Sequence, residues 1–564
     1  MKVIIIGGVA GGASAATRLR RLDENAEIIM FERDEYVSYA NCGLPYYIGG
    51  VISDEESLTV ETPKKLKDKF NLDVRTCQEV ISIDRDSKIV NVKKLEDGSV
   101  YQESYDKLIL SPGAESVKPP IQGMDLAEVF TLRNIPDTFR IKEFVDTNHP
   151  KRAVVIGAGF IGIETAENLH LSGLDVTVVD MADHILTFLD GDMAYEAEHY
   201  LMEKGLHLQL SNGVKSIEKT GAELTVHLDQ GDISTDMVIM SVGIRPDSKL
   251  AKDCGLPVNP KGAILIDDHM RTEDPDIYAI GSATLPKNFI TGEDHYISLA
   301  GPANKQGRIA ADNICGLDAI YNGTQCTSIV KLYDMTVAAT GLSEKAAKDA
   351  GLDYDKIYLW PSDHATYYPG FTNMTIKVVF ENVTGRILGA QLVGFDGVAN
   401  RCNVFATAIR ARMTAHDLAE LELCYAPPYS SAKDPVNMAG FAIENILAGR
   451  LKQVFCEDLE ELQKNPDLQI VDVRPIDFYM DGFIPGAKSM PLAQIRRRLK
   501  KLDINKPVLL YCNMGLNSYN AYRFLVQNGY DCVSLSGGYH MYASTILKNE
   551  TVEPAKFACG APQK

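Results

Sequence analysis

Six residues, Gly157-Ala158-Gly159-Phe160-Ile161-Gly162, constrain this chain more than any other feature. The apolar run Arg152-Ala153-Val154-Val155-Ile156 leads into them, and a helical pattern through Glu164, Ala166 and Leu169 follows. A second apolar run, Asp175-Val176-Thr177-Val178-Val179, then ends in Asp180. Strand, glycine turn, helix, strand and acid in that order predict a βαβ unit that binds a dinucleotide. Small residues in the turn let the helix amino terminus approach a pyrophosphate, whose charge the free amides accept. Asp180 stands 23 residues after Gly157. An acid there favours a free ribose 2′-hydroxyl and repels a 2′-phosphate, and Met181, Ala182 and Asp183 supply no arginine to receive one. The expected ligand is NADH rather than NADPH.

The same order occurs at the start of the chain. Val3-Ile4-Ile5-Ile6 runs into Gly7-Gly8-Val9-Ala10-Gly11-Gly12, a helical pattern carries Ala13, Ala15, Ala16 and Leu19, and the run from Glu27 to Phe31 ends in Glu32, 25 residues after Gly7. Val9 takes the middle glycine position, so this turn departs from the full fingerprint. Gly7, Ala10, Gly11, Gly12, Glu32 and Arg33 are expected at the first dinucleotide, together with Ser111 and Gly113 at the end of the strand from Lys107 to Leu110. Gly157, Gly159, Gly162 and Asp180 are expected at the second, with Gly243 in the strand and turn that close that unit. The run from Thr272 through Gly281 and Ser282 returns to the first unit, so the second is expected to be inserted into it. Two units about 150 residues apart predict a duplicated fold. A flavin above one and a nicotinamide above the other would permit hydride transfer.

Beyond the first unit comes Ser38-Tyr39-Ala40-Asn41-Cys42-Gly43-Leu44-Pro45-Tyr46, which makes Cys42 a candidate redox thiol. The 11 cysteines are scattered singly, without a C-x-x-C pair. That usage fits a reducing compartment with one or two working thiols, and neither a disulfide scaffold nor a zinc site is expected. At 564 residues the chain is long enough for three to five domains. A formal charge of −19 argues against a nucleic-acid or anionic-membrane partner. No apolar run approaches the length of a membrane span, and no signal peptide precedes the first strand, so a cytoplasmic location is expected.

Residues 326–448 change character. The runs 375–380 and 386–393, separated by Thr384-Gly385, form an antiparallel hairpin pattern, and helical stretches follow at 400–412 and 436–446. Tyr367 and Tyr425 stand in loop-like segments. Farther on, strand patterns at 469–474 and 507–511 flank a Gly-Phe-Ile-Pro-Gly-Ala turn at 482–487. The second strand ends at Cys512, whose loop, Cys512-Asn513-Met514-Gly515-Leu516-Asn517-Ser518, opens a helix. Backbone amides converging on such a loop can hold an anionic sulfur. Cys532, inside the next strand, reads as core filler.

Together these stretches resemble the two-dinucleotide-binding disulfide reductases. Within them the resemblance is to coenzyme A-disulfide reductases fused to a C-terminal rhodanese domain, a group that includes NADH-dependent persulfide reductases. It rests on Gly7 to Gly12, Asn41 to Tyr46, Gly157 to Gly162, Tyr367, Tyr425 to Asp434 and Cys512 to Ser518. Relatives that use an internal disulfide carry C-x-x-x-x-C, whereas here Tyr47 takes the second cysteine's place. The resemblance implies FAD and NADH as cofactors and a mixed disulfide between Cys42 and coenzyme A. It implies that Tyr367 and Tyr425 reach in from the partner of a homodimer to hydrogen-bond the exchanging sulfur. Ser14, Arg18, Arg21, Ser38, Asn41, His295 and Lys433 are implied to hold coenzyme A as thiol, disulfide or persulfide. Two departures stand out: Ser282 replaces the acid that usually touches the flavin ribitol, and Asn517 and Phe483 replace an arginine and a histidine common in thiosulfate sulfurtransferases.

The expected fold is α/β: two Rossmann-like dinucleotide-binding domains, an α+β dimerisation domain and a C-terminal α/β rhodanese domain. The boundaries are 1–115 and 266–325 for the FAD domain, 116–265 for the NAD(H) domain, 326–448 for dimerisation, 449–467 for a linker and 468–564 for the rhodanese domain. The expected activity is NADH-dependent reduction of coenzyme A disulfide, persulfide or polysulfide through Cys42, coupled to sulfane-sulfur handling at Cys512. An NADH oxidase or peroxidase working through a cysteine sulfenic acid is the first alternative, and a non-redox sulfur-binding scaffold the second.

Overall fold

A computed structural model describes residues 1–547. The end of the expected rhodanese domain, 548–564, lies outside the described residues. The chain divides into two compact units, 1–182 with 206–324, and 183–205 with 325 onward.

The first unit contains the predicted duplication. One five-stranded parallel sheet has the order Ile277–Ala279, Lys107–Leu110, Lys2–Ile6, Glu27–Phe31, Asp73–Arg75. The other has the order His207–Gln209, Asp175–Val179, Arg152–Ile156, Met237–Met240, Val129–Thr131. Each is accompanied by a three-stranded antiparallel sheet, 78–104 in the first half and 214–235 in the second. The strand Ile277–Ala279 joins the first sheet beside Lys107–Leu110, which makes the second half an insertion, as the sequence implies. Central strands buried on both faces explain the unbroken apolar runs: Val3, Ile4, Ile5, Val154 and Val155 are all sealed from solvent.

The second unit holds an antiparallel five-stranded sheet in the order Ser328–Leu332, Met335–Gly341, Ile387–Gly394, Met374–Glu381, Tyr354–Leu359. Helices Val398–Arg410, Ala415–Glu420 and Pro435–Leu447 follow it. A C-terminal parallel sheet has the order Gln453–Val454, Cys532–Leu535, Val508–Tyr511, Gln469–Asp472, Lys488–Ser489.

Two expected boundaries change. Residues 449–467 are more than a linker: Gln453–Val454 forms an edge strand of the C-terminal sheet, and the helix Leu459–Gln463 buries Leu459 in that domain's core. One buried leucine among Glu457, Asp458, Glu460, Glu461 and Lys464 gives too little apolar pattern to read from sequence. Residues 183–205, expected in the NAD(H) domain, cluster instead with the second unit. The helix Gly191–Glu203 and the residue before it carry acids that meet a buried cation there. Lys377 Nζ lies 2.9 Å from Asp190, 2.9 Å from Asp192 and 2.8 Å from Glu344. Lys356 joins Glu344 at 2.7 Å to Glu457 at 2.6 Å, tying the C-terminal domain to the antiparallel sheet. A buried cation must be paired to be tolerated, so these carboxylates are structural partners.

Candidate active site

The first glycine of each turn admits no side chain. A Cβ on Gly7 would stand 2.1 Å from the Ser111 carbonyl oxygen, and one on Gly157 would stand 2.2 Å from that of Ser241. Both glycines have positive φ, +97° and +109°. The helices Ala10–Leu22 and Phe160–Leu171 begin without a side-chain cap, which leaves their first amides for a ligand.

Beside the first turn a cavity of about 720 Å³ is lined by Gly7, Glu32, Arg33, Asn41, Ser111 and Gly113 among others. Glu32 accepts hydrogen bonds from the Gly8 and Asp34 amides at 2.9 and 3.1 Å, and burial holds its carboxyl above the usual range. Arg33 pairs with Asp247 at 3.1 Å. The Asn41 side-chain oxygen is buried there without a partner. An orphaned acceptor, an acid and an uncapped helix start around one cavity fit a dinucleotide. Gly281, at φ +75°, donates its amide to Gln306 at 2.6 Å, and Ser282 accepts from the Ser298 hydroxyl at 2.8 Å. Ser282 is thus held within the protein by its hydroxyl.

At the second turn Asp180 accepts from the Ala158 amide at 2.6 Å and from the Ala182 amide at 2.8 Å, so it braces the turn it was expected to serve. A Cβ on Gly159 would meet only open space, and Gly243 is exposed at φ +108°.

Cys42 follows Asn41 in a short 3-10 turn and reaches the surface. The chain arrives there through Ser38 in the left-handed region at φ +48°, an unfavourable conformation for a residue with a Cβ. Burial, and then the charge of Glu164, hold the Cys42 thiol above the usual cysteine range. The Tyr46 hydroxyl donates to Glu164 at 3.2 Å. Burial pushes the Glu164 carboxyl up to about 7, against that hydrogen bond and with help from the nearby Glu167. The Tyr46–Glu164 contact joins residues 118 apart in the chain, and no sequence pattern links them. Tyr47 packs its ring against Phe139 at 5.7 Å, in the place of a second cysteine.

The implied coenzyme A residues are held differently from one another. Ser14, Arg18 and Arg21 share the helix Ala10–Leu22. Arg18 lies 2.6 Å from Asp312, which fixes its guanidinium on that helix. Ser14 donates to Asn304, and Arg21 lies over the Phe70 ring at 5.9 Å. His295 reaches the surface, yet surrounding protein holds its imidazole below the usual histidine range. Lys433, exposed, belongs to the second unit.

In that unit the two singled-out tyrosines come together, their hydroxyls 2.8 Å apart, at 73% and 49% exposure for Tyr367 and Tyr425. Their segment is anchored by Arg401, buried and 2.9 Å from Asp434.

Cys512 is 4% exposed at the end of Val508–Tyr511. The Gly515 amide donates to its sulfur at 3.1 Å, and the Ser518 hydroxyl lies 3.6 Å away. Gly515, at φ +116°, takes a conformation that aims this amide inward and that a side chain disfavours. Arg474, buried beside the loop, is bonded to Asp472 at 2.6 Å and to the Gly482 carbonyl at 2.6 Å. Phe483 stacks on Tyr479 at 4.5 Å, and Asn517 is exposed.

Two dinucleotide turns, a surface thiol beside one of them and a second thiol in a separate amide loop define a pyridine-nucleotide reductase with an appended sulfur-handling domain. The chain belongs to the pyridine nucleotide-disulphide oxidoreductase family, whose model matches residues 1–307. The family's dimerisation domain matches 327–435, and a rhodanese-like domain matches 455–545. The chain is 35% identical over 446 residues to the coenzyme A disulfide reductase of Staphylococcus haemolyticus, covering 79% of this chain and all of that one. Among solved structures it is similar to reduced Bacillus anthracis CoADR-RHD, at 44% identity and a TM-score of 0.95 over 97% of this chain and 98% of the other. It is also similar to a NAD-dependent persulfide reductase from A. fulgidus, at 36% identity and a TM-score of 0.90 over 96% and 100%.

Proposed function

We propose that the protein is an NADH-dependent flavoprotein that reduces coenzyme A disulfide and coenzyme A persulfide through Cys42, and that Cys512 handles sulfane sulfur for it. The observation that carries this reading is the lone thiol of Cys42, next to the cavity-lining Asn41, with an aromatic ring where a paired cysteine would stand. A single thiol cannot complete an internal disulfide at that spacing, so the substrate supplies the other sulfur.

Gly7 to Gly12, Glu32, Asn41 and Ser111 would hold FAD, and Gly157 to Gly162 with Asp180 would hold NADH; bound together they supply the two electrons that return oxidised Cys42 to the thiol. The Cys42 thiolate attacks one sulfur of the substrate S–S bond. A Cys42–S–S–R bond forms, and the other half leaves as a thiolate or hydrosulfide. Tyr367 and Tyr425, carried on the dimerisation domain, donate hydrogen bonds to that departing sulfur across a homodimer. Ser14, Arg18, Arg21, Ser38, Asn41, His295 and Lys433 hold the coenzyme A. Asp180 rejects a 2′-phosphate by like charge.

The test is NADH oxidation by the purified holoenzyme with coenzyme A disulfide and, separately, coenzyme A persulfide. Both should drive turnover, and Cys42→Ser should lower it by on the order of 10³-fold. Unchanged turnover in Cys42→Ser overturns the assignment. Oxygen alone sustaining the same rate would assign the oxidase chemistry instead.

A further inference from the structure

We propose that His540 is a positioning residue for the chemistry of Cys512: it ties the Cys512 loop to the antiparallel sheet, so that the neighbouring domain sets the aim of the sulfur. The inference rests on the reading of Cys512 as the thiol that handles sulfane sulfur.

The loop is held at its first two residues. The helix Gly538–Leu547 begins against it, and the first amides of a helix point outward, free of helical partners. Tyr539 donates to the Cys512 carbonyl at 2.8 Å, and His540 donates to the Asn513 carbonyl at 3.1 Å. The approach is close: a Cβ on Gly538, at φ +55°, would stand 2.2 Å from the Cys512 carbonyl oxygen. A shift of this helix start therefore shifts Cys512 directly.

The His540 side chain leaves the C-terminal domain. Its imidazole stacks on Trp360 at 5.1 Å, just past the strand Tyr354–Leu359. Its Nε2 lies 3.3 Å from the Thr375 hydroxyl, in the strand Met374–Glu381, and 3.5 Å from Glu196, in the helix Gly191–Glu203. Thr375 gives its own proton to Glu196 at 2.6 Å. Both neighbours thus face His540 as acceptors, which assigns a proton to Nε2. The joint is sheltered, with the side chains of His540 and Glu196 12% and 7% exposed. A buried carboxylate demands donors, so Glu196 and Thr375 fix where the ring sits.

His540 therefore joins the loop by its amide and the sheet by its ring. The step it serves conserves atoms and charge. The Cys512 thiolate attacks the outer sulfur of a donor R–S–S⁻, the donor S–S bond breaks, R–S⁻ leaves and Cys512–S–S⁻ forms. The coenzyme A thiolate takes that outer sulfur by the same exchange and returns the Cys512 thiolate, with no oxidant or reductant. Such a displacement needs the attacking sulfur in line with the breaking bond, and a small misplacement slows it steeply.

The experiment measures sulfur transfer from glutathione persulfide to coenzyme A by the holoenzyme, in His540→Ala, His540→Gln, Thr375→Val and the His540→Ala/Thr375→Val double variant. His540→Ala should lower kcat roughly tenfold with an unchanged KM for the donor. His540→Gln, which keeps a donor, should recover most of the loss. Thr375→Val changes no residue of the C-terminal domain, yet should lower kcat roughly threefold through the lost acceptor. The double variant should be no slower than His540→Ala. NADH-driven reduction of coenzyme A disulfide should stay within about twofold, because Cys42 lies in the other unit. Trp360 is the chain's only tryptophan, and its emission should rise in His540→Ala as the stacked imidazole leaves. An undiminished kcat with that rise in emission overturns the proposal, since the joint would be open without consequence at Cys512. So does an additive loss in the double variant, which would put Thr375 and His540 on separate paths. Where His540→Ala fails to fold, Thr375→Val carries the same test from outside the domain. Transfer that survives Cys512→Ser would sink the underlying reading instead. Alkylation of Cys512 needs no sulfur donor and should quicken roughly threefold in His540→Ala as the loop loosens, so the joint is tested apart from that reading.

Discussion

Cys42 and Cys512 occupy opposite surroundings. Cys42 lies at the surface, in a short turn, with a carboxylate as its charged neighbour. Cys512 is buried at a strand end, with the Gly515 amide 3.1 Å from its sulfur and the Ser518 hydroxyl at 3.6 Å. Donors around a sulfur stabilise it when anionic, while a nearby carboxylate resists that charge until the carboxylate is neutralised. Each arrangement suits a different task. A thiol that must hold a sulfane sulfur gains from a donor fixed in the backbone. A thiol that must attack, be reduced and attack again gains from an exposed position that substrate can reach.

The largest effects should separate the two sites completely. Cys512→Ser should leave NADH-driven reduction of coenzyme A disulfide within about twofold of wild type, while abolishing sulfur transfer from a sulfane donor to coenzyme A. The paired assays check this, and equal losses in both would join the two thiols into one site. Next in size is the support behind Cys512. Asp472, 0% exposed, is bonded to the equally hidden Arg474, so Asp472→Asn strands a buried cation. The expected cost is about 3–5 kcal/mol, seen as early melting of the C-terminal domain in calorimetry. A melting profile unchanged from wild type would mean that the pair contributes nothing to that domain.

What was legible in the sequence follows the same division between local and long-range causes. Gly7 and Gly157 were readable because a turn with positive φ and no room for a Cβ is written into a few adjacent residues. The parallel strands were readable because burial on both faces leaves unbroken apolar runs. Tyr367 and Tyr425 were singled out through the family resemblance, and their 2.8 Å contact spans 58 residues that no pattern links. The bond between Tyr46 and Glu164 spans 118 residues, and it depends on how closely Gly49 lets one helix approach another. The pairing of Arg18 with Asp312, 294 residues away, likewise left no trace in the sequence pattern. The strand and helix within 449–467 were missed because one buried leucine in an acidic segment carries no periodicity.

Protonation at Glu164 gives an intermediate effect with a definite sign. Its carboxyl is raised from 4.5 to about 7 in the folded protein, so the native state binds that proton more tightly than the unfolded chain does. Its contribution to stability is therefore greatest below pH 4.5 and is lost as pH climbs to about 7. Glu164→Gln removes that loss. It should stabilise the protein by about 1–3 kcal/mol at pH 8 and have little effect at pH 4, measured by denaturant unfolding at the two pH values. A gain of equal size at both would point to packing, and the contrast with Cys512 would lose its electrostatic basis.

The smallest expected effect asks how much of the Cys512 environment comes from the side chain and how much from the backbone. The Ser518 hydroxyl donates to the Gly515 carbonyl at 2.9 Å and accepts from Ser534 at 3.0 Å, so its 3.6 Å approach to the sulfur is the longest of its contacts. The Gly515 amide, at 3.1 Å, donates to the sulfur, and it is fixed by the loop backbone. The Cys512 thiol is the donor to the Ser518 oxygen, so Ser518→Ala should speed Cys512 alkylation at pH 7 by only about two- to threefold, as the neutral thiol loses one weak hydrogen bond of about 0.5 kcal/mol. Cys42 alkylation in the same sample should be unchanged and serves as the internal reference. A tenfold loss at Cys512 would shift the weight from the amide to the hydroxyl, and the buried thiol would then depend, like Cys42, on a single neighbouring side chain.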